Sequence, residues 1–229
     1  MNRLIRIFVL SLTLTASVYG QARLAAPADR FDFGVIPTGT VLSHHFWLKS
    51  IGQDTVTIDT VKTGCSCAVS MLDKKVLPPG DSVLLGIQWD IKRSQGSVFR
   101  SPMIFYNGTD EALRVHMAGT VWDYPDSARP VSAKPFRFEL SRAAVKDVNQ
   151  IEYRLINHSS ETVPVRLISL VPPQVEMTVP DSVVAKGTAT GSITLRPEFR
   201  NEEFSTSVTL AVGDRDVKRL TIPVRRKFY

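Results

Sequence analysis

Apolar and polar residues alternate along most of the chain, with little of the three- and four-residue spacing typical of amphipathic helices. In the clearest stretch every second residue from Val83 to Trp89 is apolar, whereas Ser82, Gly86 and Gln88 lie on the other side. Alternation with period two predicts β-strands that bury one face. Short strands at intervals of about ten residues are typical of a β-sandwich.

The stretch HHFWLKSIGQDTVTIDTV predicts a hairpin of two neighbouring strands, with a turn over 51–54. Phe46 and Leu48 would point inward on the first strand, so Trp47 between them is predicted to point outward. Exposed aromatic residues are enriched at binding surfaces, which makes Trp47 a candidate interaction residue. The alternative is that the N-terminal segment or a second domain covers it.

The second half of the chain repeats the pattern of the first. Phe-Asp-Phe at 31–33 returns as Phe-Arg-Phe at 136–138. The apolar positions recur at offsets of 105 to 107 residues, as in the pairs Phe46 and Tyr153, Leu48 and Leu155, Val56 and Val163, Ile58 and Val165, Ile87 and Ile193, Trp89 and Leu195, and Met117 and Ile222. The offset changes only at predicted turns, where deletions are tolerated, so we interpret the pattern as a tandem repeat.

The predicted fold class is all-β, with two tandem immunoglobulin-like β-sandwiches after a cleaved signal peptide. The predicted divisions are a signal peptide over 1–22, a first domain over 29–122, a linker over 123–135 and a second domain over 136–229. The linker carries three prolines and few apolar residues, which is typical of a domain boundary. Each domain would have about 95 residues, close to the roughly 100 of a seven-stranded sandwich.

The N-terminus predicts export. Arg3 and Arg6 precede an apolar run over 7–18, and the small residues Gly20 and Ala22 follow, which is the order of a secretory signal peptide. The apolar run is shorter than the about 20 residues of a membrane-spanning helix, although an uncleaved anchor is the alternative. We therefore expect a periplasmic or secreted protein without a stable membrane anchor.

Cleavage at the small residues would begin the mature chain at Gln21 or Arg23. The formal charge of the whole chain is +6, and loss of the two signal-peptide arginines leaves a modest and scattered excess. Nucleic-acid binding needs a basic stripe with interleaved aromatic residues, so no nucleic-acid partner is expected. The basic run at 225–227 is interpreted as part of a solvated surface.

Residues 29–121 resemble the bacterial domain-of-unknown-function 1573 family. That family has a Phe-Asp-Phe-Gly motif, a further glycine, an aromatic strand, an Asn-x-Gly turn, Ser-Cys-Gly-Cys-Thr and a Pro-Gly pair. The matching residues here are Phe31, Asp32, Phe33, Gly34, Gly39, Phe46, Gly52, Cys65, Cys67, Pro79 and Gly80. The chain departs from the pattern at Ser50, Gly64, Ser66 and Ala68. The resemblance implies an immunoglobulin-like domain related to ASH and major sperm protein modules, which are interaction modules, and it implies no catalytic activity.

Cys65 and Cys67 are the only two cysteines of the chain. In an exported protein such a pair normally forms a disulfide. Two residues apart on a predicted strand, their Cα atoms would lie roughly 6 to 7 Å apart, at the upper end of bridging geometry. Closing so short a loop adds only about 1.6 kcal/mol of stability before strain is counted. A disulfide here would therefore be local and easily reduced, and buried or free thiols are an open alternative.

Soft-metal binding by the two cysteines is a further alternative, but it needs additional ligands. His44 and His45 lie on the predicted hairpin, where the register places them opposite Val61 and Thr60, short of the cysteines. Met71 is expected in the core. No metal site and no cofactor are therefore predicted.

The chain contains no G-x-S-x-G, H-E-x-x-H or phosphate-binding glycine motif, so no enzyme is expected. The favoured interpretation is an exported binding or structural module that contacts a protein partner through its edge strands. One alternative is a periplasmic chaperone-like protein, since two immunoglobulin-like domains also build pilus chaperones. Another is a thiol-redox or copper-handling protein that uses Cys65 and Cys67.

Overall fold

The computed structural model describes residues 21–123, 128–143 and 146–229. The predicted signal peptide lies outside this part of the chain, except for Gln21 and Ala22. No helix in the described part is long and apolar enough to cross a membrane. The first half contains β1 (Leu24–Ala25), β2 (Arg30–Pro37), β3 (Val41–Ser50), β4 (Val56–Lys62), β5 (Ala68–Leu72), β6 (Val76–Leu77), β7 (Ser82–Asp90), β8 (Gly96–Arg100), β9 (Met103–Tyr106), β10 (Leu113–Arg114) and β11 (His116–Trp122).

The second half repeats this arrangement. Its elements are β12 (Val131–Lys134), β13 (Phe138–Glu139), β14 (Arg142–Ala143), β15 (Lys146–Asp147), β16 (Gln150–Asn157), β17 (Val163–Leu167), β18 (Val175–Thr178), β19 (Ser182–Val183), β20 (Thr188–Leu195), a 3-10 turn at Pro197–Phe199, β21 (Phe204–Val212) and β22 (Lys218–Arg226). The predicted all-β fold class is confirmed.

Each half forms a two-layer sandwich around its own core. In the first, the sheet β1-β3-β7-β5 packs against a layer that contains β10-β9-β4-β6 and β2-β11-β8. In the second, the sheet β12-β16-β20-β18 packs against β19-β17-β21-β22, with β13 paired to β22. The apolar residues of the seven repeated pairs are buried in both cores. The repeat therefore reflects the same strands and the same inward faces.

The predicted hairpin between β3 and β4 is wrong. β3 pairs with β1 and β7, whereas β4 pairs with β6 and β9 in the other layer. The chain crosses from one layer to the other at 51–54, so Phe46 and Val56 face one core from opposite sides. Alternation marks which side chains point inward, and it is identical whether two strands are neighbours or face each other.

The two sandwiches share one continuous sheet. β2 pairs in parallel with β22 at Val35 and Leu220, which joins the two layers into one eight-stranded sheet. Seven of its strands follow the order β19-β17-β21-β22-β2-β11-β8, and the eighth, β13, pairs with β22. Across this junction the Thr221 hydroxyl donates to the Phe33 carbonyl at 2.7 Å, and Arg219 donates to the Asp32 carbonyl at 2.7 Å. Main-chain and side-chain hydrogen bonds therefore fix the contact between the halves.

Gly34 makes this close approach possible. It has a positive φ of 65°, and a Cβ atom there would lie 2.0 Å from the carbonyl oxygen of Arg219. Glycine is the one amino acid that adopts this conformation readily and has no Cβ atom to collide with the neighbouring strand. The fourth residue of the Phe-Asp-Phe-Gly motif thus serves the junction of the sandwiches.

The division into separately folding domains stays a prediction. Within the predicted linker, β12 pairs with β16, and Ala128 and Val131 lie in the second core. A fragment over 128–229 is therefore a better test of independent folding than one that begins at Phe136, the predicted start of the second domain.

The basic run at 225–227 is not a solvated surface throughout, because Arg226 is fully buried. Its guanidinium donates to the carbonyls of Leu140 and Arg200, and it pairs with the Asp147 carboxylate at 3.0 Å. These partners compensate the cost of removing a cation from water.

Candidate functional site

The outer face of the sheet β3-β7-β5 carries the first candidate residue. Trp47 is 58% exposed, as the alternation of β3 predicts. The register places Trp47 beside Leu84, and His45 in one row with Gly86 and Met71. Val69 lies on the same face of β5, so exposed apolar side chains lie on β3 and on β5, with Leu84, Gly86 and Gln88 of β7 between them.

A loop of the second sandwich, residues 168–174, borders this face. Leu170 is 57% exposed, close to the 56% of Val69, and Val171 is also exposed. We call the set Trp47, Val69, Met71, Leu170 and Val171 the junction face, because both sandwiches contribute to it. A cavity of about 330 Å³ lies between β3, β5 and the stretch 170–174, and one of about 370 Å³ lies between Trp47 and the stretch 167–170.

The 168–174 loop is held in place by contacts to both halves. Ile168 packs against the first core, and its N–H donates to the Thr209 carbonyl at 3.0 Å. The Thr209 N–H in turn donates to Ser169 Oγ at 2.9 Å. Nearby, the Ser43 N–H donates to Ser207 Oγ at 3.2 Å across the junction. The cavities beside the loop are thus preformed by the fold.

β5 forms the edge of its sheet. Within the described residues it pairs on one side only, with β7. A Cβ atom at Gly86 would lie 3.3 Å from both the His45 ring and the Met71 methyl. These two side chains therefore pack against each side of Gly86 and cover β7 at this point. The prediction that Met71 lies in the core is wrong, since it is 46% exposed on the outward face.

The two neighbouring histidines of β3 have different surroundings. His44 points inward, where its ring stacks on Phe31 with centroids 3.7 Å apart. Burial, together with the charges of His45 and Arg219, lowers the pKa of His44 to about 3. Burial also lowers the pKa of His45 from its usual value, although Asp73 opposes that effect. Sequence reasoning missed the inward position of His44, because it treated the pair only as metal ligands of a hairpin.

The structure joins Cys65 and Cys67 in a disulfide, with Cα atoms 5.2 Å apart. The pair does not lie on a strand as predicted, but in the turn that connects β4 to β5. A turn brings residues two apart closer than an extended strand does, which explains the shorter Cα distance. Both cysteines are half-buried against the first core, and Ser66 between them is exposed.

His45 lies over β7 and not opposite Thr60, because the predicted hairpin does not form. In the described residues, no group of three or more histidine, cysteine, aspartate or glutamate side chains could hold a metal ion. The structure thus does not bring the predicted site residues Trp47, Cys65 and Cys67 together, since the cysteines occupy a turn and Trp47 belongs to the junction face.

Residues 24–121 match the family described as "Protein of unknown function (DUF1573)". The family model thus matches the first sandwich, where the motifs predict the resemblance. No curated protein matches the chain.

Solved structures with similar β-sandwich chains are distant. A protein of unknown function from Porphyromonas gingivalis W83 has 11% identity and a TM-score of 0.33, covering 89% of this chain and 99% of that one. The human CEP192 ASH/PapD-like domain 7 has 12% identity and a TM-score of 0.34, covering 54% and 99%. The Pseudomonas aeruginosa CupB2 chaperone has 11% identity and a TM-score of 0.33, covering 87% and 98%. No function follows from likenesses of this size.

Proposed function

We propose that this chain is an exported, non-enzymatic binding module that holds an extended apolar segment of a partner protein at the junction face. The observation that carries the proposal is that exposed apolar side chains of both sandwiches line two adjoining cavities, Met71 with Leu170 and Val171 in one and Trp47 with Leu170 in the other. Val69 is exposed beside Met71 on β5. Contiguous exposed apolar patches on soluble proteins mark interaction sites.

The edge strand β5 identifies the kind of partner. Its open edge can accept main-chain hydrogen bonds from an added strand, which is the β-augmentation mode of peptide recognition. Val69 and Met71 are separated by one residue and point to the same side, so they match a partner whose apolar residues also alternate. Specificity would then come from the cavities beside the 168–174 loop.

A random peptide library displayed on phage and selected against the mature protein tests this function. We expect selected peptides with alternating apolar residues, and backbone hydrogen exchange that slows in β5 when a selected peptide binds. Val69→Asp should weaken binding at least tenfold. Val184→Asp, at an equally exposed apolar residue of the second sandwich, should not. Equal binding by both variants would place the partner elsewhere.

A chaperone-like role is the second candidate. The continuous sheet through β2 and β22 favours it, because a fixed angle between two sandwiches suits a protein that holds a client strand in one geometry. A chaperone delays aggregation of an unfolded client at equimolar concentration, whereas a module for folded partners does not. Light scattering with an unfolded pilin-type subunit would separate the two roles.

Export is part of the proposal. Ala22 is buried in the first core, and Gly52 lies directly against the backbone of Gln21 and Arg23. Cleavage after Ala22 would remove the contacts of Ala22 and Gln21, so we expect a mature N-terminus at Gln21. N-terminal sequencing of periplasmic material tests this, and finding Arg23 or the intact Met1 would contradict it.

A further inference from the structure

A cation that the sequence did not indicate lies beside the disulfide turn. Arg100, at the end of β8, places Nη2 4.0 Å from Cys67 Sγ. The guanidinium stacks over the Trp89 ring at 5.1 Å, and Nη1 donates to the Phe99 carbonyl at 3.2 Å. The remaining nitrogen, Nε, is buried and has no hydrogen-bond partner. The positive charge is therefore held beside one sulfur of the pair by packing.

The turn is held together without the disulfide. Thr63 Oγ1 lies 3.2 Å from the Cys65 carbonyl and 2.9 Å from the Ala68 carbonyl. The Asp90 N–H donates to the Cys67 carbonyl at 2.9 Å, which anchors the turn to β7. Reduction would therefore leave the two sulfurs close together, and the half-buried pair remains within reach of a small thiol.

We propose that Cys65–Cys67 is a thiol–disulfide exchange site, in which an incoming thiolate attacks Cys65 and Arg100 stabilises the departing Cys67 thiolate. In the first step a new bond forms between the attacking sulfur and Cys65 Sγ, the Cys65–Cys67 bond breaks, and its electron pair goes to Cys67 Sγ. A second thiolate then attacks the sulfur of the bound thiol and releases Cys65. Two external thiols are oxidised to a disulfide while the protein pair is reduced.

The assignment of the two roles follows from the charge. A thiolate leaves faster when a nearby cation lowers its pKa, and the guanidinium lies beside Cys67. Attack on Cys65 therefore has the better leaving group. The tight loop also gives the oxidised form little stability to lose on reduction.

Brief exposure of the oxidised protein to glutathione, followed by acid quenching and peptide mass analysis, tests the proposal. We expect the mixed disulfide predominantly on Cys65. Arg100→Gln should slow reduction about tenfold, whereas Arg100→Lys, which keeps the charge, should restore most of the rate. Arg114→Gln, at an exposed arginine of β10, serves as the control and should react like the wild type.

A second measurement does not depend on the folding of the Arg100 variants. In the Cys65→Ser protein, the pH dependence of the rate at which iodoacetamide alkylates Cys67 gives the pKa of that thiol. We expect this pKa to lie below the ordinary value of about 8.5. An adduct shared equally between the cysteines, a Cys67 pKa at or above the ordinary value, or a disulfide that resists millimolar glutathione would each overturn the proposal.

Discussion

The two sandwiches differ in the connection that follows equivalent strands, β4 in the first and β17 in the second. Between β4 and β5 it is a short turn that holds the Cys65–Cys67 disulfide at one end of the first sandwich. Between β17 and β18 it is the longer 168–174 loop, which borders the outer face of the first sandwich with Leu170 and Val171. The strands on either side occupy matching positions in both sheets.

The difference shows where the two halves were free to diverge. Strand residues that point inward are constrained by burial in a close-packed core, so both copies kept apolar side chains there. A surface connection is not constrained in this way. The connection between β4 and β5 is thus a candidate redox site, and the 168–174 loop forms one side of the junction face.

The largest expected loss of stability comes from a substitution in the second sandwich. Arg226→Ala removes a fully buried side chain that donates to the buried carbonyl of Leu140, to the carbonyl of Arg200 and to the exposed carboxylate of Asp147. The cavity left by this side chain and the Leu140 carbonyl left without a donor should together lower the free energy of unfolding by about 3 to 5 kcal/mol. Chemical denaturation measures the loss, and Lys227→Ala at a partly exposed neighbour is the control, with an expected cost of less than about 1 kcal/mol. A loss of that small size for Arg226→Ala would show that the buried guanidinium is not needed for stability.

The next effect concerns the junction that joins the two halves. Gly34→Ala would force a Cβ atom against the Arg219 carbonyl in a left-handed conformation, at a cost of about 3 kcal/mol. Gly96→Ala is the matched control, because Gly96 has a similar φ of 71° with no atom within 4 Å of the added Cβ. It should cost only the conformational strain, about 1 kcal/mol. Equal costs in thermal or chemical unfolding would mean that the close contact with β22 is not limiting.

A third prediction compares His44 with Ile151, the residue 107 positions later that packs against the second core. Below pH 6.5 an unfolded histidine binds a proton, whereas folded His44 stays neutral until its pKa of about 3. Its contribution to stability is therefore complete above pH 6.5 and is lost as the pH falls through this window. The loss should be about 2 kcal/mol between pH 6.5 and pH 5.

His44→Ile tests the third prediction, because it introduces the residue of the second sandwich. We expect the variant to lose about 2 kcal/mol less than the wild type over the same pH interval, measured by urea unfolding. Parallel pH profiles for the two proteins would exclude a neutral, buried His44 as the cause.

The smallest effect is expected at the disulfide turn. Replacing both Cys65 and Cys67 by serine should cost less than about 2 kcal/mol, because the closed loop is short and Thr63 and Asp90 hold the turn independently. Denaturant melts of the oxidised, reduced and double-serine proteins measure the cost. A large loss on reduction alone would show that the disulfide stabilises the fold.

Particular residues show how far sequence reasoning reached at the candidate site. The outward position of Trp47 followed from its inward neighbours Phe46 and Leu48, and the structure confirms it. The partners of Trp47 across the junction could not be predicted, since Leu170 and Val171 lie more than a hundred positions away, in the 168–174 loop. Arg100 was equally out of reach, because nothing in a strand sequence indicates that its guanidinium stacks on Trp89 beside a sulfur.

Local chemistry determined the strands, their inward faces, the tandem repeat and the family resemblance of the first sandwich. These features can be read from the chain alone, because burial of one strand face imposes a period of two and each core imposes it again. The tertiary structure alone decided which strands are neighbours, how β2 meets β22, and why Arg226 and His44 are enclosed. Those outcomes depend on main-chain pairing and close packing between distant segments, and such contacts leave no periodic signal along the sequence.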